Sequence, residues 1–298
     1  MTQPTPLGNL LHRAQGQADN GRDRSIGALL IDAGKLRPEG AEQILRLQKT
    51  ENIRFGEAAV RLGLVTEADI QQALSQQFDY SYLLPGQSRV SETLAAAYRP
   101  FDPQVEALRA LRSQLMLRWI GTEPERKAIA LASPARGEGR SHLAANLAIV
   151  FSQLGEHTLL IDADMRQPRQ HLLFGLDNRS GLSAILAGRG EADAVARIAD
   201  FEDLSVLPAG AVPPNPQELL GRPIFASLLE ELCREFDVVL IDTPAAACGA
   251  DAQTLAVRAG AALLVARKNH TPLAGLQQLG NHLQQASANV VGAVLNSF

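Results

Sequence analysis

The chain has 298 residues, more than one ordinary domain needs and enough for two. Hydrophobic residues make up 46% and charged residues 20%, as in globular proteins, while aromatics at only 4% favour helices and α/β layers over an all-β fold. The formal net charge of −4 gives no global electrostatic case for nucleic acid, and the two cysteines, Cys233 and Cys248, lack CxxC spacing and read as reduced thiols.

The six histidines show no ligand spacing. No stretch approaches the ~18 apolar residues that a bilayer span needs. Residues 1–24 have no apolar core of signal-peptide type and read as a disordered tail. The expectation is a soluble, cytoplasmic protein able to dock on a membrane partner.

Residues 25–84 carry an internal repeat. SIGALLIDAGKLRPEGAEQILRLQ (25–48) aligns without gaps on RFGEAAVRLGLVTEADIQQALSQQ (54–77), with identities at Gly27/Gly56, Gly34/Gly63, Leu45/Leu74 and Gln48/Gln77. Each unit reads as a short helix stopped by a glycine, a polar turn and a second helix. Pro38 suits a first helical turn, and Thr66 with Asp69 looks like a helix cap. Neither unit can bury its apolar stripe alone, so the two should form one small helical domain. The repeat resembles the N-terminal domain of type II secretion and type IV pilus assembly ATPases. The resemblance implies either protein docking or binding of cyclic di-GMP, the latter through Arg24, Gly27, Gly34, Arg54, Gly56 and Gly63.

Residues 85–104 contain three prolines and read as an interdomain linker. From 105 to 298 the pattern becomes α/β. Glu106–Trp119 is an amphipathic helix with Leu108, Leu111, Leu115 and Trp119 on one stripe. Apolar strands follow at 127–133, 158–164, 204–209, 237–242, 261–266 and 289–296, with helices at 139–154, 223–234 and 273–285. Uninterrupted apolar strands alternating with helices predict a mostly parallel sheet covered on both faces.

Three motifs carry chemistry. SPARGEGRSHLAANLA (133–148) lies between a strand and a helix, where Gly137 and Gly139 allow backbone N–H groups to surround phosphate oxygens at a helix N-terminus. It departs from GxxxxGK[ST] twice: Pro134 replaces the first glycine, and Arg140 replaces the lysine. Ser141 stands where a loop hydroxyl ligates Mg²⁺. LLIDADMRQPRQH (159–171) ends an apolar strand with Asp162 and Asp164, placed for a metal or for base work on a hydroxyl. FDVVLIDTPA (236–245) ends another with Asp242, which suits a magnesium-holding acid.

The order of these motifs resembles the bacterial tyrosine kinases of polysaccharide export systems, and the loop RGEGRS is similar to that of the chain-length determinant EpsG branch. EALRALRSQL (106–115) looks like the family's ExxRxxR helix, and LPAGAVPPNPQELLGRPIFASLLEEL (207–232) like its segment before the third motif. The resemblance implies a P-loop nucleoside triphosphatase fold, ATP and Mg²⁺, and transfer of phosphate to protein tyrosine. Gly137, Glu138, Gly139, Arg140 and Ser141 would cradle phosphates, with Asn296 near adenine. Ser141, Asp162 and Asp242 would serve the metal. Asp162, Asp164 and Arg140 would be catalytic, Asp162 as the base. Glu106, Arg109 and Arg112 would contact a neighbouring copy in a homo-oligomer. The implied partner is a membrane polysaccharide co-polymerase, which would hold the chain peripherally at the inner membrane.

The family's C-terminal tyrosine cluster has no counterpart, because the only tyrosines are Tyr80, Tyr82 and Tyr98, which read as packing or linker residues. Two alternatives stay open. One is a non-catalytic, nucleotide-binding adaptor. The other is a partition or site-placement ATPase, whose signature lysine would fall at Ala135.

Overall fold

The computed structural model describes residues 25–78, 82–189 and 194–298. The expected tail at 1–24, including Arg24, and Tyr80 lie outside the described residues. The chain divides into two units, Met1–Ser81 and Tyr82–Phe298.

The first unit has four helices: α1 (Ile26–Asp32), α2 (Pro38–Glu51), α3 (Phe55–Arg61) and α4 (Glu67–Phe78). Each repeat contributes two. The first helix of one repeat packs on the second helix of the other, α1 on α4 and α3 on α2, so each repeat covers its partner's apolar stripe. Leu30, Ile44, Ala58 and Ala59 are fully or nearly fully buried in the shared core. Gly34 and Gly63 hold matching left-handed turns, with φ of 69° and 65°. Thr66 Oγ1 accepts from the Asp69 N–H at 3.2 Å, and Asp69 Oδ2 accepts from the Thr66 N–H at 3.0 Å, a reciprocal cap at the start of α4.

The second unit begins with α5 (Ala95–Tyr98) and α6 (Pro103–Arg118). It continues through β1 (Ala128–Ala132), α7 (Arg140–Ser152), β2 (Thr158–Asp162), α8 (Gln170–Leu173), α9 (Leu182–Leu186), β3 (Ala196–Arg197) and β4 (Leu204–Leu207). Then come α10 (Pro216–Gly221), α11 (Pro223–Glu235), β5 (Val238–Asp242), α12 (Asp251–Ala259), β6 (Ala261–Arg267), α13 (Leu273–Gln285) and β7 (Asn289–Asn296). One seven-stranded sheet runs β3-β4-β2-β5-β1-β6-β7. All its pairings are parallel except β3 with β4. The expected P-loop α/β fold is therefore present. The short antiparallel edge β3 and the helix α12 were not foreseen.

Alternate residues of β1 face opposite cores: Ile129 and Leu131 join one cluster, Ala128, Ala130 and Ala132 the other. The first cluster contains α7, whose residues are buried from Leu143 to Ser152. A helix apolar on all sides must be covered on all sides.

That need explains a correction. Residues 85–104 are not a linker. Val90, Leu94, Ala95, Ala96, Ala97 and Tyr98 are buried in the same cluster as α7. Asn146, in the middle of α7, accepts from the Ala96 N–H at 2.9 Å, and Gln153 donates to the Ala96 carbonyl at 3.1 Å. Tyr98 donates its hydroxyl to the Val90 carbonyl. Proline content suggested an extended connector, but the apolar run LAAAY docks as a short helix on the sheet's central helix.

Asn146→Ala leaves the buried Ala96 N–H without its acceptor and should lower stability by about 1–3 kcal/mol. Urea unfolding monitored at Trp119 measures it. A loss below about 0.5 kcal/mol, the range of an exposed substitution, would show that the segment is not held this way.

Candidate functional site

The loop 133–141 leaves the C-terminal end of β1 and turns into α7. Gly137 and Gly139 take φ of 77° and 82°, a region costly for any residue with a Cβ. A Cβ on Gly139 would stand 2.6 Å from Asn296 Nδ2 and 2.8 Å from the Phe298 ring. Residues 136–143, the loop and the start of α7, line a cleft of about 1000 Å³. Asp164, Arg169, Leu108, Leu111 and residues 293–298 complete its walls. Such a loop at a helix N-terminus is built for an anion.

Glu138 folds beneath the loop. Its carboxylate accepts from the Ala135 N–H at 2.9 Å and from Thr271 Oγ1, and the residue is 1% exposed. Asn296 donates to the Glu138 carbonyl at 2.8 Å. Both were expected to meet nucleotide; both line the cleft, and both also brace the loop. Arg267 adds bonds to the Gly137 and Phe298 carbonyls and stacks 4.4 Å from the Phe298 ring centroid.

The two acidic strand ends lie side by side, since Asp162 on β2 and Asp242 on β5 are register partners. Arg140 joins the motifs. Its Nη1 donates to Ser133 Oγ at 2.7 Å, its Nη2 to Asp164 Oδ2 at 3.1 Å and its Nε to Asp242 Oδ1 at 3.1 Å. Arg140 thus ties the loop to Asp164 and Asp242, of which only Asp164 lines the cleft.

Asp162 does not occupy the place expected of a base. It is fully buried and does not line the cleft. Its Oδ1 accepts from the Asp164 N–H, and its Oδ2 from the Arg169 and Gln170 N–H groups. Burial, reinforced by the neighbouring Asp242, pushes its carboxyl well above the usual carboxylate range against those N–H groups. Asp164 does line the cleft, and burial raises it too, against the Gln167 N–H and the charge of Arg140.

Gln170 was missed. Its side-chain amide donates to Asp242 Oδ2 at 2.8 Å and to the Ser141 carbonyl at 3.0 Å, with the residue fully buried. Nothing in the spacing marked it. Arg166 was also missed, though it sits within DADMRQP: it pairs with the buried Asp251 at 2.9 Å, tying that loop to α12.

Every carboxylate oxygen of Asp162, Asp164 and Asp242 therefore already accepts a protein N–H. Mg²⁺ demands near-octahedral oxygen ligands at about 2.0–2.1 Å. Among the described residues no group of three His, Cys, Asp or Glu side chains is placed to hold a metal. As arranged, a Mg²⁺ ion ligated directly by these acids would compete with Arg140, Gln170 and backbone N–H groups for their oxygens.

The residues expected at an oligomer contact point partly inward. Arg109 donates to Glu106 at 2.9 Å and to the Pro100 carbonyl at 2.7 Å, and Arg112 donates to the Val150 carbonyl at 2.8 Å; Glu106 is exposed. In the first unit, a Cβ on Gly27 would meet the Phe55 ring at 3.1 Å, and one on Gly56 would meet Ile70 at 3.0 Å. Helix packing alone accounts for those glycines. Arg54 is exposed.

An AAA domain model matches residues 126–294. The chain is 33% identical over 209 residues to the tyrosine-protein kinase YwqD of Bacillus subtilis, covering 70% of this chain and 87% of YwqD. It is 37% identical over 222 residues to the EpsB protein of Ralstonia solanacearum, covering 74% of this chain but only 29% of EpsB. The kinase domain of the Escherichia coli tyrosine kinase ETK superposes with a TM-score of 0.67 at 32% identity, over 74% of this chain and 85% of that one.

The raised carboxyl of Asp162 has a pH consequence. The folded chain keeps a proton that the unfolded chain releases near 3.8. The stability this gives is complete below that value and is lost as pH rises through the raised folded value. As pH rises above about 4, the urea midpoint of the unsubstituted protein should fall relative to that of Asp162→Asn. A relative rise would show an ionised, stabilised carboxylate instead.

Proposed function

The chain belongs to the bacterial tyrosine kinase family, and on that premise we propose that it is an ATP-binding regulator of exopolysaccharide chain length and export. The observation that carries this is the cleft over the Gly137–Ser141 turn, with an acid at its wall and an α7 N-terminus at its floor. Polyphosphate lies along the loop N–H groups, and the purine extends toward residues 293–298. The partner is a membrane polysaccharide co-polymerase, with the chain held at the inner face of the membrane and assembled as a homo-oligomer. These assignments rest on the family resemblance. No described helix is long and apolar enough to cross a membrane.

The reaction of this reading is phosphate transfer to a tyrosine hydroxyl. The phenolic oxygen attacks the γ-phosphorus, ADP leaves, and the phenol proton passes to a carboxylate, with positioning and electrostatics supplying most of the effect. Asp164, which lines the cleft, is better placed for that proton than the buried Asp162.

A second reading, a nucleotide-binding adaptor without transfer activity, is favoured by one observation: Arg140 is held by both acids rather than standing free over the loop. Tyr98, with its hydroxyl bonded to Val90, is unsuited as an acceptor. The first unit serves docking in either case.

Incubation of the purified chain with labelled ATP separates these readings: phosphotyrosine supports the kinase, and retained nucleotide without transfer supports the adaptor. Absence of both sinks the proposal. Gly139→Ala, strained at φ 82° and driven against Asn296 and Phe298, should weaken ATP binding by about tenfold or more while the fold persists. Calorimetric titration of the whole chain with cyclic di-GMP should give no heat at high micromolar ligand; saturable heat lost on Arg54→Ala would replace docking with ligand sensing.

A further inference from the structure

Lysine at position 140 would be a point charge on a flexible stem, able to reach phosphate and leave the acids to a metal. Arginine is different. Its planar fork meets three acceptors from three strand ends: Ser133 after β1, Asp164 after β2 and Asp242 on β5. The Arg140 side chain is 8% exposed and lines the cleft, while Asp242, which accepts its Nε–H, is fully buried. The other oxygen of Asp242 is taken by Gln170, and the other oxygen of Asp164 by two backbone N–H groups. A divalent ion entering here would displace a well-bonded guanidinium or stand beside its like charge.

We propose that the Arg140 guanidinium is a built-in replacement for the divalent cation, so that this cleft binds nucleoside di- and triphosphates independently of Mg²⁺. The inference rests on the nucleotide-site reading above. Three of arginine's five N–H groups are used by the protein acceptors. Two remain for a phosphate oxygen, to which guanidinium is geometrically suited. The positive charge that a metal would bring to the phosphates is thus covalently part of α7 and is fixed in place by the acids that would otherwise ligate the metal.

The test is equilibrium titration of the whole chain with a fluorescent, non-hydrolysable ATP analogue, in EDTA and in excess MgCl₂. For the unsubstituted protein the two dissociation constants should agree within about twofold, whereas in Arg140→Lys, with the acids released, Mg²⁺ should tighten binding by about tenfold or more. Affinity that falls about tenfold in EDTA for the unsubstituted protein overturns the proposal and leaves the nucleotide site standing. So does an Arg140→Lys variant that folds but stays indifferent to Mg²⁺. No binding in either medium removes the underlying reading as well. If Arg140→Lys fails to fold, Mn²⁺ paramagnetic resonance on the unsubstituted protein decides. A free-Mn²⁺ signal equal to that of the ATP analogue alone supports the proposal, and a protein-dependent loss of that signal overturns it.

Discussion

One buried guanidinium bonds the ends of three strands. β1, β2 and β5 are adjacent or nearly so in the sheet, and each finishes with a polar group aimed at the same small volume. Two of those groups are carboxylates that could not remain there unpaired. Burying a charge without a partner is expensive, and removing one member of a buried pair typically costs about 3–5 kcal/mol. The arginine answers that cost, and in doing so it settles the loop conformation, the start of α7 and the chemistry open to the cleft. Gln170 completes the arrangement from the far side, joining Asp242 to the Ser141 carbonyl. The loop is therefore braced from below by its own polar groups turned inward: Glu138 to Ala135 and Thr271, Asn296 to the Glu138 carbonyl.

The same logic of covering operates at larger scale. α7 is apolar around its whole circumference, so the sheet can satisfy only one side of it. The segment 82–102 and α6 cover the rest, and Asn146 and Gln153 supply the polar contacts that the backbone of Ala96 needs once it is buried. Arg112 on α6 caps this layer by bonding the Val150 carbonyl near the end of α7. The helix that presents the loop to the cleft is thereby packed along its length. The first unit uses a different device for the same problem. Two half-domains too small for their own cores exchange second helices, so each apolar stripe is closed by the other repeat.

Much of this was legible in the residues themselves. The fold class follows from six apolar strands separated by helices, because a strand buried on both faces leaves an uninterrupted apolar run. The repeat at 25–77 shows because Gly34 and Gly63 must stop their helices at matching points. The glycines at 137 and 139 announce a turn that few other residues can make. The segment 85–104 misled because proline density signals extended chain, whereas docking depends on the apolar face of a neighbour that is far away in sequence.

What the sequence determined by itself was the list of parts: a phosphate-type loop, acids at strand ends and a duplicated helical module. Each is a local pattern with a local physical cause. What only the tertiary structure decided was which groups remain available to a ligand. Asp162 and Asp164 differ by two positions in one motif and both are buried, yet Asp162 is bonded only to backbone while Asp164 lines the cleft and pairs with Arg140. Arg140 is a cation in a loop until the ends of β2 and β5 are brought beside it. Sheet register sets that distance, and through it whether the charge serves a phosphate, a metal site or the protein's own acids.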